Sequence, residues 1–125
     1  MRLLRLIGGL LLLQVAALGC GDATERILEP GPTCIAFCAN AVGECDALAD
    51  VEGFEDVTEA SCEQMCERII ANERVVLEAC GDAAEAVFGC ASTLDCPDVE
   101  GWLAQEPADA FPCRSEVMMA DAVCP

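Results

Sequence analysis

Cysteine is the residue that most restricts how this chain can fold. The 125 residues include eleven cysteines, and ten of them follow residue 33 in the pattern C-x3-C-x6-C-x16-C-x3-C-x13-C-x9-C-x5-C-x16-C-x10-C. The pattern lacks C-x2-C pairs and the chain lacks histidine, which disfavours zinc or iron–sulfur ligation and a dithiol redox site. We therefore predict structural disulfides. The ten cysteines are Cys34, Cys38, Cys45, Cys62, Cys66, Cys80, Cys90, Cys96, Cys113 and Cys124.

The two C-x3-C pairs predict how two helices are joined. Residues four apart lie on the same face of a helix, so two antiparallel helices can be linked by Cys34–Cys66 and Cys38–Cys62. A rival register pairs Cys45 with Cys62 and Cys38 with Cys66. Both registers give an antiparallel helical hairpin.

Spacing alone does not pair the other six cysteines. It excludes a bond between Cys113 and Cys124 if one straight helix joins them, because they would lie ~16 Å apart.

Apolar residues recur at steps of three and four in five segments, and we predict a helix in each. Thr33 is the expected N-cap of the first helix, and Ser61 or Thr58 that of the second. Gly81 is expected to end the second helix, and Asp82–Glu85 to cap the third. No segment alternates as a strand does, so we predict an all-α, disulfide-stapled helical bundle built on the hairpin. The predicted helices cover about 34–48, 62–79, 82–94, 97–105 and 113–123.

Charge and composition narrow the possible functions of residues 34–125, which form one predicted acidic, cysteine-rich domain. The residues after Cys20 include four arginines and all 23 acidic residues, which gives a side-chain charge of −19. Such a surface repels nucleic acid and favours a cationic partner. The chain has no His, Lys or Tyr, which removes most acid–base and nucleophilic schemes. We therefore expect no enzyme activity and no cofactor.

The acidic connector from Asp46 to Glu59 invites comparison with a calcium loop, in which ligands fall at positions 1, 3, 5 and 12 around Gly at 6. With Gly53 at position 6, Asp50, Glu52 and Glu59 fall at positions 3, 5 and 12. Position 1 falls on Leu48, which has no ligand atom. A solvated acidic loop is the favoured interpretation, and weak Ca²⁺ binding is the alternative.

The N-terminal stretch Met1–Cys20, MRLLRLIGGLLLLQVAALGC, has the pattern of an export signal. Arg2 and Arg5 precede an apolar stretch, Leu6–Leu18, which is shorter than the ~20 residues of a spanning helix. The segment Ala16–Cys20 resembles the lipobox of bacterial lipoproteins. In that family the cysteine thiol receives diacylglycerol, a peptidase cuts before it, and the new amine is often acylated, for example with palmitate.

The resemblance implies a cleaved signal peptide at residues 1–19 and a lipidated Cys20 that begins a tether at residues 20–33. It places the protein in the bacterial cell envelope, anchored in a membrane, with the outer membrane favoured, and exposed on its periplasmic or surface face. Ala17-x-Gly19 also fits an ordinary cleavage site, which predicts a secreted protein instead. The odd cysteine count favours the lipid, because a thioether at Cys20 leaves ten cysteines to pair.

Two further resemblances concern the cysteine pattern. The twin C-x3-C segments are similar to the helical hairpins of mitochondrial intermembrane chaperones, without their client-binding pattern. The full string resembles small cysteine-rich lipoproteins of gliding soil bacteria and implies location and architecture only. We expect a non-catalytic binding or envelope-structural module. Trp102 is the best candidate for a partner contact, although a core position is favoured.

Overall fold

The computed structural model describes residues 28–125, and the predictions for Met1–Gly19 and Cys20 lie outside the described residues. Within residues 28–125 all regular secondary structure is helical and no strand is present, so the all-α prediction is confirmed. The elements are α1 (Pro32–Cys38), a π-helical segment (Ala39–Glu44), α2 (Glu59–Val76), α3 (Glu78–Ala91), α4 (Cys96–Ala104) and α5 (Arg114–Val123).

The first helix begins earlier than the sequence suggests and changes its winding midway. Gly31 is its N-cap and Pro32 its first residue, so the prediction of Thr33 as N-cap is wrong. Proline suits the first helical position because its missing N–H has no partner there in any helix. From Ala39 onward the winding widens, and the Cys45 N–H donates to the Asn40 carbonyl oxygen, five residues back, at 2.9 Å.

The N-terminus of α2 is held by a capping box. Thr58, the second of the two expected caps, is the N-cap, and its side chain accepts from the Ser61 N–H at 3.2 Å. The Ser61 hydroxyl in turn accepts from the Thr58 N–H at 2.9 Å. This pair satisfies two amides that a helix otherwise leaves unpaired.

The boundary between α2 and α3 differs from the prediction. The break falls at Leu77, which is extended (φ −157°, ψ 128°), and Gly81 is buried within α3. A Cβ on Gly81 would lie 2.5 Å from Arg74 Cβ and 2.9 Å from Arg74 Cα. The glycine therefore permits a close helix approach and does not end a helix. Asp82 forms an ion pair with Arg74 and caps nothing.

All five helices contribute to the core, and three aromatic rings form its centre. Phe37 contacts Phe88 and Trp102 edge-on, with ring centroids 5.0 Å and 5.6 Å apart. Small residues from α3 and α5, such as Val87 and Val117, are fully buried around this group. Since so few large side chains fill the core, the bundle depends on covalent links as well as on apolar burial.

The last two helices follow the predicted segments closely. Asp95 caps α4, its carboxylate accepting from the Asp98 N–H at 3.0 Å. Cys113 precedes α5 with a left-handed backbone, φ 58°. Within residues 28–125 we find no helix with the length and apolarity to cross a membrane.

Candidate functional site

The hairpin of α1 and α2 is joined by two disulfides. Cys34 bonds Cys66 and Cys38 bonds Cys62, with Cα–Cα distances of 5.7 Å and 5.8 Å. These are the two bonds that equal C-x3-C spacing favours, within the ~5–6 Å typical of disulfides. The rival register does not occur.

Three further disulfides link the remaining helices, two between α3 and α5 and one between the hairpin and α4. Cys80–Cys124 and Cys90–Cys113 link the two ends of α3 to the opposite ends of α5, so these helices run antiparallel. Cys113 and Cys124 lie at opposite ends of α5 and bond different cysteines, as the exclusion of a Cys113–Cys124 bond predicts. The remaining bond, Cys45–Cys96, joins the end of the π-helical segment to the start of α4.

The tether that precedes α1 is bound along α2. The Gln64 side-chain amide donates to the Leu28 carbonyl oxygen at 2.7 Å, and its oxygen accepts from the Leu28 N–H at 3.0 Å. Further along, the Glu67 carboxylate accepts from the Gly31 N–H at 2.6 Å. The final residues of the predicted tether, 28–31, therefore form part of the domain.

Asn40 connects the π-helical segment to the C-terminus of α3. Its Nδ2 donates to the Leu94 carbonyl oxygen at 2.8 Å and lies 3.4 Å from the carbonyl oxygens of Ala91 and Ser92. These are carbonyls that a helix end leaves without an internal donor. One side chain thus satisfies the helix terminus from a neighbouring element.

The acidic connector does not have the geometry of a calcium loop. Leu48 is buried against the core. Glu59, the first residue of α2, lies against Gly43 of the π-helical segment. The Glu55 carboxylate accepts from the Gly53 N–H at 3.0 Å. Hydrogen bonds from the backbone N–H groups of Glu55 and Gly53 lower the pKa of Glu55. Two carboxylates of the connector, those of Glu55 and Glu59, therefore make local contacts, and Gly53, at φ 88°, makes the turn.

Two groups of cysteine and glutamate atoms lie close enough to suggest metal ligation within residues 28–125. One joins Glu73 to Cys80 and Cys124, and the other joins Glu116 to Cys90 and Cys113. Every cysteine in them is disulfide-bonded, and metal binding requires a thiolate. The 2.7 Å approach of Glu73 Oε2 to Cys80 Sγ is a sulfur–oxygen contact, because a disulfide sulfur carries no proton.

Trp102 belongs to the core, which was the favoured interpretation, and its side chain is not available as a partner contact. Only 5% of its surface is exposed, and its ring packs on Phe37 and Phe88. Trp102 borders an apolar cavity of about 30 Å³. A cavity of this size has room for little more than a methyl group. The cavity is lined by Phe37, Leu48, Met65, Cys66, Ile69, Phe88, Trp102 and Leu103.

The corner between α2 and α3 is a surface feature that the sequence patterns do not predict. Val75, Val76 and Leu77 are 87%, 63% and 46% exposed. Beside them, Arg74 bonds Asp82 at 3.0 Å and Glu85 at 3.2 Å, and these hydrogen bonds raise the pKa of Arg74. Val75 and Val76 end α2 and Leu77 is its extended C-cap, so the three apolar residues lie where the chain turns from one helix into the next. We call Val75–Leu77 the apolar corner.

Comparison with known proteins found no matching family model, no matching curated protein and no matching solved structure.

Proposed function

We propose that the chain is a bacterial lipoprotein, anchored in a membrane of the cell envelope through lipid on Cys20. Its mature domain is proposed as a non-catalytic module that acts by binding or by envelope structure. The single observation that carries the proposal is the lipobox-like segment ending at Cys20.

The disulfide pattern supports this proposal through cysteine parity. The ten cysteines within residues 28–125 form five bonds with one another. Of the eleven cysteines in the sequence, Cys20 is therefore left without a cysteine to bond within the chain. A thioether to diacylglycerol gives this thiol a stable form in an oxidising compartment.

The compartment itself is supported by the same bonds. Five disulfides in a domain of this size are typical of exported proteins, because cytosolic reductants keep thiols reduced. Export also matches the charged and apolar regions of Met1–Gly19.

A binding or structural role is favoured over catalysis by the chemistry of the described surface. Displaced pKa values in residues 28–125 occur at Glu55 and Arg74, which both lie on the exposed surface, whereas catalytic groups with displaced pKa values lie in clefts. The chain also has no His or Lys. With an excess of carboxylates on its surface, the domain best fits a cationic protein partner.

The proposal is tested by substituting Cys20 in the full chain, expressed in a bacterium that processes lipoproteins. The unaltered protein is expected in the membrane fraction and in the detergent-rich phase of a phase-separation assay. Cys20→Ala should leave an unprocessed precursor. A correctly cleaved and soluble Cys20→Ala product would favour ordinary secretion and overturn the proposal.

A further inference from the structure

The two ends of α2 differ sharply in polarity. At its N-terminal end the acidic connector carries five exposed carboxylates before Glu59, the first residue of α2, and at its C-terminal end lies the apolar corner, Val75–Leu77. Val76 is sixteen residues beyond Ala60, which corresponds to ~24 Å along the helix. The carboxylates are those of Asp46, Asp50, Glu52, Glu55 and Asp56.

The tether leaves the domain beside Gln64, nearer to the acidic end of α2 than to the apolar corner, but it is long enough to reach the corner. Leu28 is hydrogen-bonded to Gln64, and Val75 lies eleven residues further along α2, or ~16 Å. The eight residue steps from Cys20 to Leu28 span at most ~29 Å when fully extended. A lipid on Cys20 can therefore enter a bilayer that also touches the corner.

Exposed apolar residues in a row need a partner or a function. A second copy of this chain is disfavoured, because two copies, each with a side-chain charge of −19 after Cys20, repel each other. A bilayer of zwitterionic lipid carries no such charge. The apolar interior of such a bilayer can take up the apolar corner, while the acidic connector stays in water.

We propose that the apolar corner is a second membrane contact, which holds the domain upright on the bilayer with residues 46–59 directed outward. The proposal rests on the lipidation of Cys20 proposed above. Arg74, paired with two carboxylates, brings no free positive charge to this surface. Glu78 is exposed beside Leu77, so the contact should prefer zwitterionic to anionic lipid.

The contact is tested with the mature full-length protein, purified from membranes and reconstituted into phosphatidylcholine vesicles. A tryptophan is placed at the corner by Val76→Trp and, as a matched control, at the opposite end of the same helix by Ala60→Trp. Both positions are exposed, and the buried Trp102 contributes the same background to each. Vesicles with brominated acyl chains quench only tryptophans that reach the bilayer interior.

Brominated vesicles should remove most of the emission that Val76→Trp adds and leave that of Ala60→Trp unchanged. Unquenched Val76→Trp in protein that floats with the vesicles would overturn the contact while leaving the lipid anchor intact. Equal quenching at both positions would also overturn it. Protein that fails to float would instead contradict the lipidation. A blue shift of Val76→Trp that grows with protein concentration before vesicles are added would assign the corner to a second copy.

Discussion

Gly81 and Arg74 approach so closely that a side chain on Gly81 has no room. A Cβ at that position would lie 2.5 Å from Arg74 Cβ, which is shorter than real Cβ contacts. Gly89 of the same helix is different, because its Cβ would meet only Thr33 Cγ2, at 3.9 Å. The two glycines therefore provide a matched pair for testing the α2–α3 corner.

Gly81→Ala should destabilise the oxidised protein by about 1–3 kcal/mol, because the added methyl overpacks the corner. Gly89→Ala should instead stabilise it by about 0.5–1 kcal/mol, since alanine loses less backbone entropy in a helix. Urea unfolding followed by circular dichroism measures both. Equal effects of the two substitutions would show that α2 and α3 do not meet at Gly81.

Removal of the Asn40 side chain should also weaken the fold. Asn40→Ala leaves carbonyls at the end of α3 without their donor, at a cost of about 1–3 kcal/mol. Asn72→Ala, on the exposed face of α2, is the control and should change the free energy of unfolding by less than ~0.5 kcal/mol. A stable Asn40→Ala variant would mean that solvent satisfies these carbonyls equally well.

The sequence predicts the hairpin because its determinants are local. Equal C-x3-C spacing on two helical segments requires only the geometry of a helix, and it leads to Cys34–Cys66 and Cys38–Cys62. The π-helical segment is not encoded in any local pattern. Its wider turn shifts Cys45 away from α2 and toward Cys96, so the third bond depends on tertiary packing.

The helix boundary at Leu77 escaped prediction for a related reason. Gly81 followed by Asp82 and Glu85 has the sequence pattern of a helix end followed by the N-cap of a new helix. In the structure, however, a glycine is required at position 81 because Arg74 approaches so closely. The second helix is consequently predicted to run through the apolar corner to about residue 79. The burial of Trp102 agrees with the favoured interpretation, but the neighbours that bury it, Phe37 and Phe88, are distant in sequence and could not be predicted.

Cutting the acidic connector should leave the protein covalently whole. Three disulfides, Cys34–Cys66, Cys38–Cys62 and Cys45–Cys96, cross residues 46–59. Cleavage after the exposed Glu52 or Glu55 should give one species without reductant and two fragments with it. Peptide mapping of the unreduced product should recover these three pairs, and a Cys45–Cys62 peptide would contradict the register.

Truncating Trp102 should affect stability and leave the surface intact. Trp102→Ala removes the ring that packs on Phe37 and Phe88 and should cost about 3–5 kcal/mol. Trp102→Phe retains an aromatic ring and should cost less. Thermal unfolding of the oxidised proteins ranks the variants. A Trp102→Ala protein as stable as the parent would show that the ring does not pack in the core.

Lipid on Cys20 is the central claim, and thiol counting by mass spectrometry tests it most directly. The mature protein is purified from membranes, fully reduced, and alkylated under denaturing conditions. We expect a chain that begins at Cys20, carries the added mass of diacylglycerol, and takes up ten alkyl groups, one for each cysteine of the five disulfides. A chain that begins at Cys20 without added mass and takes up eleven alkyl groups would contradict the claim.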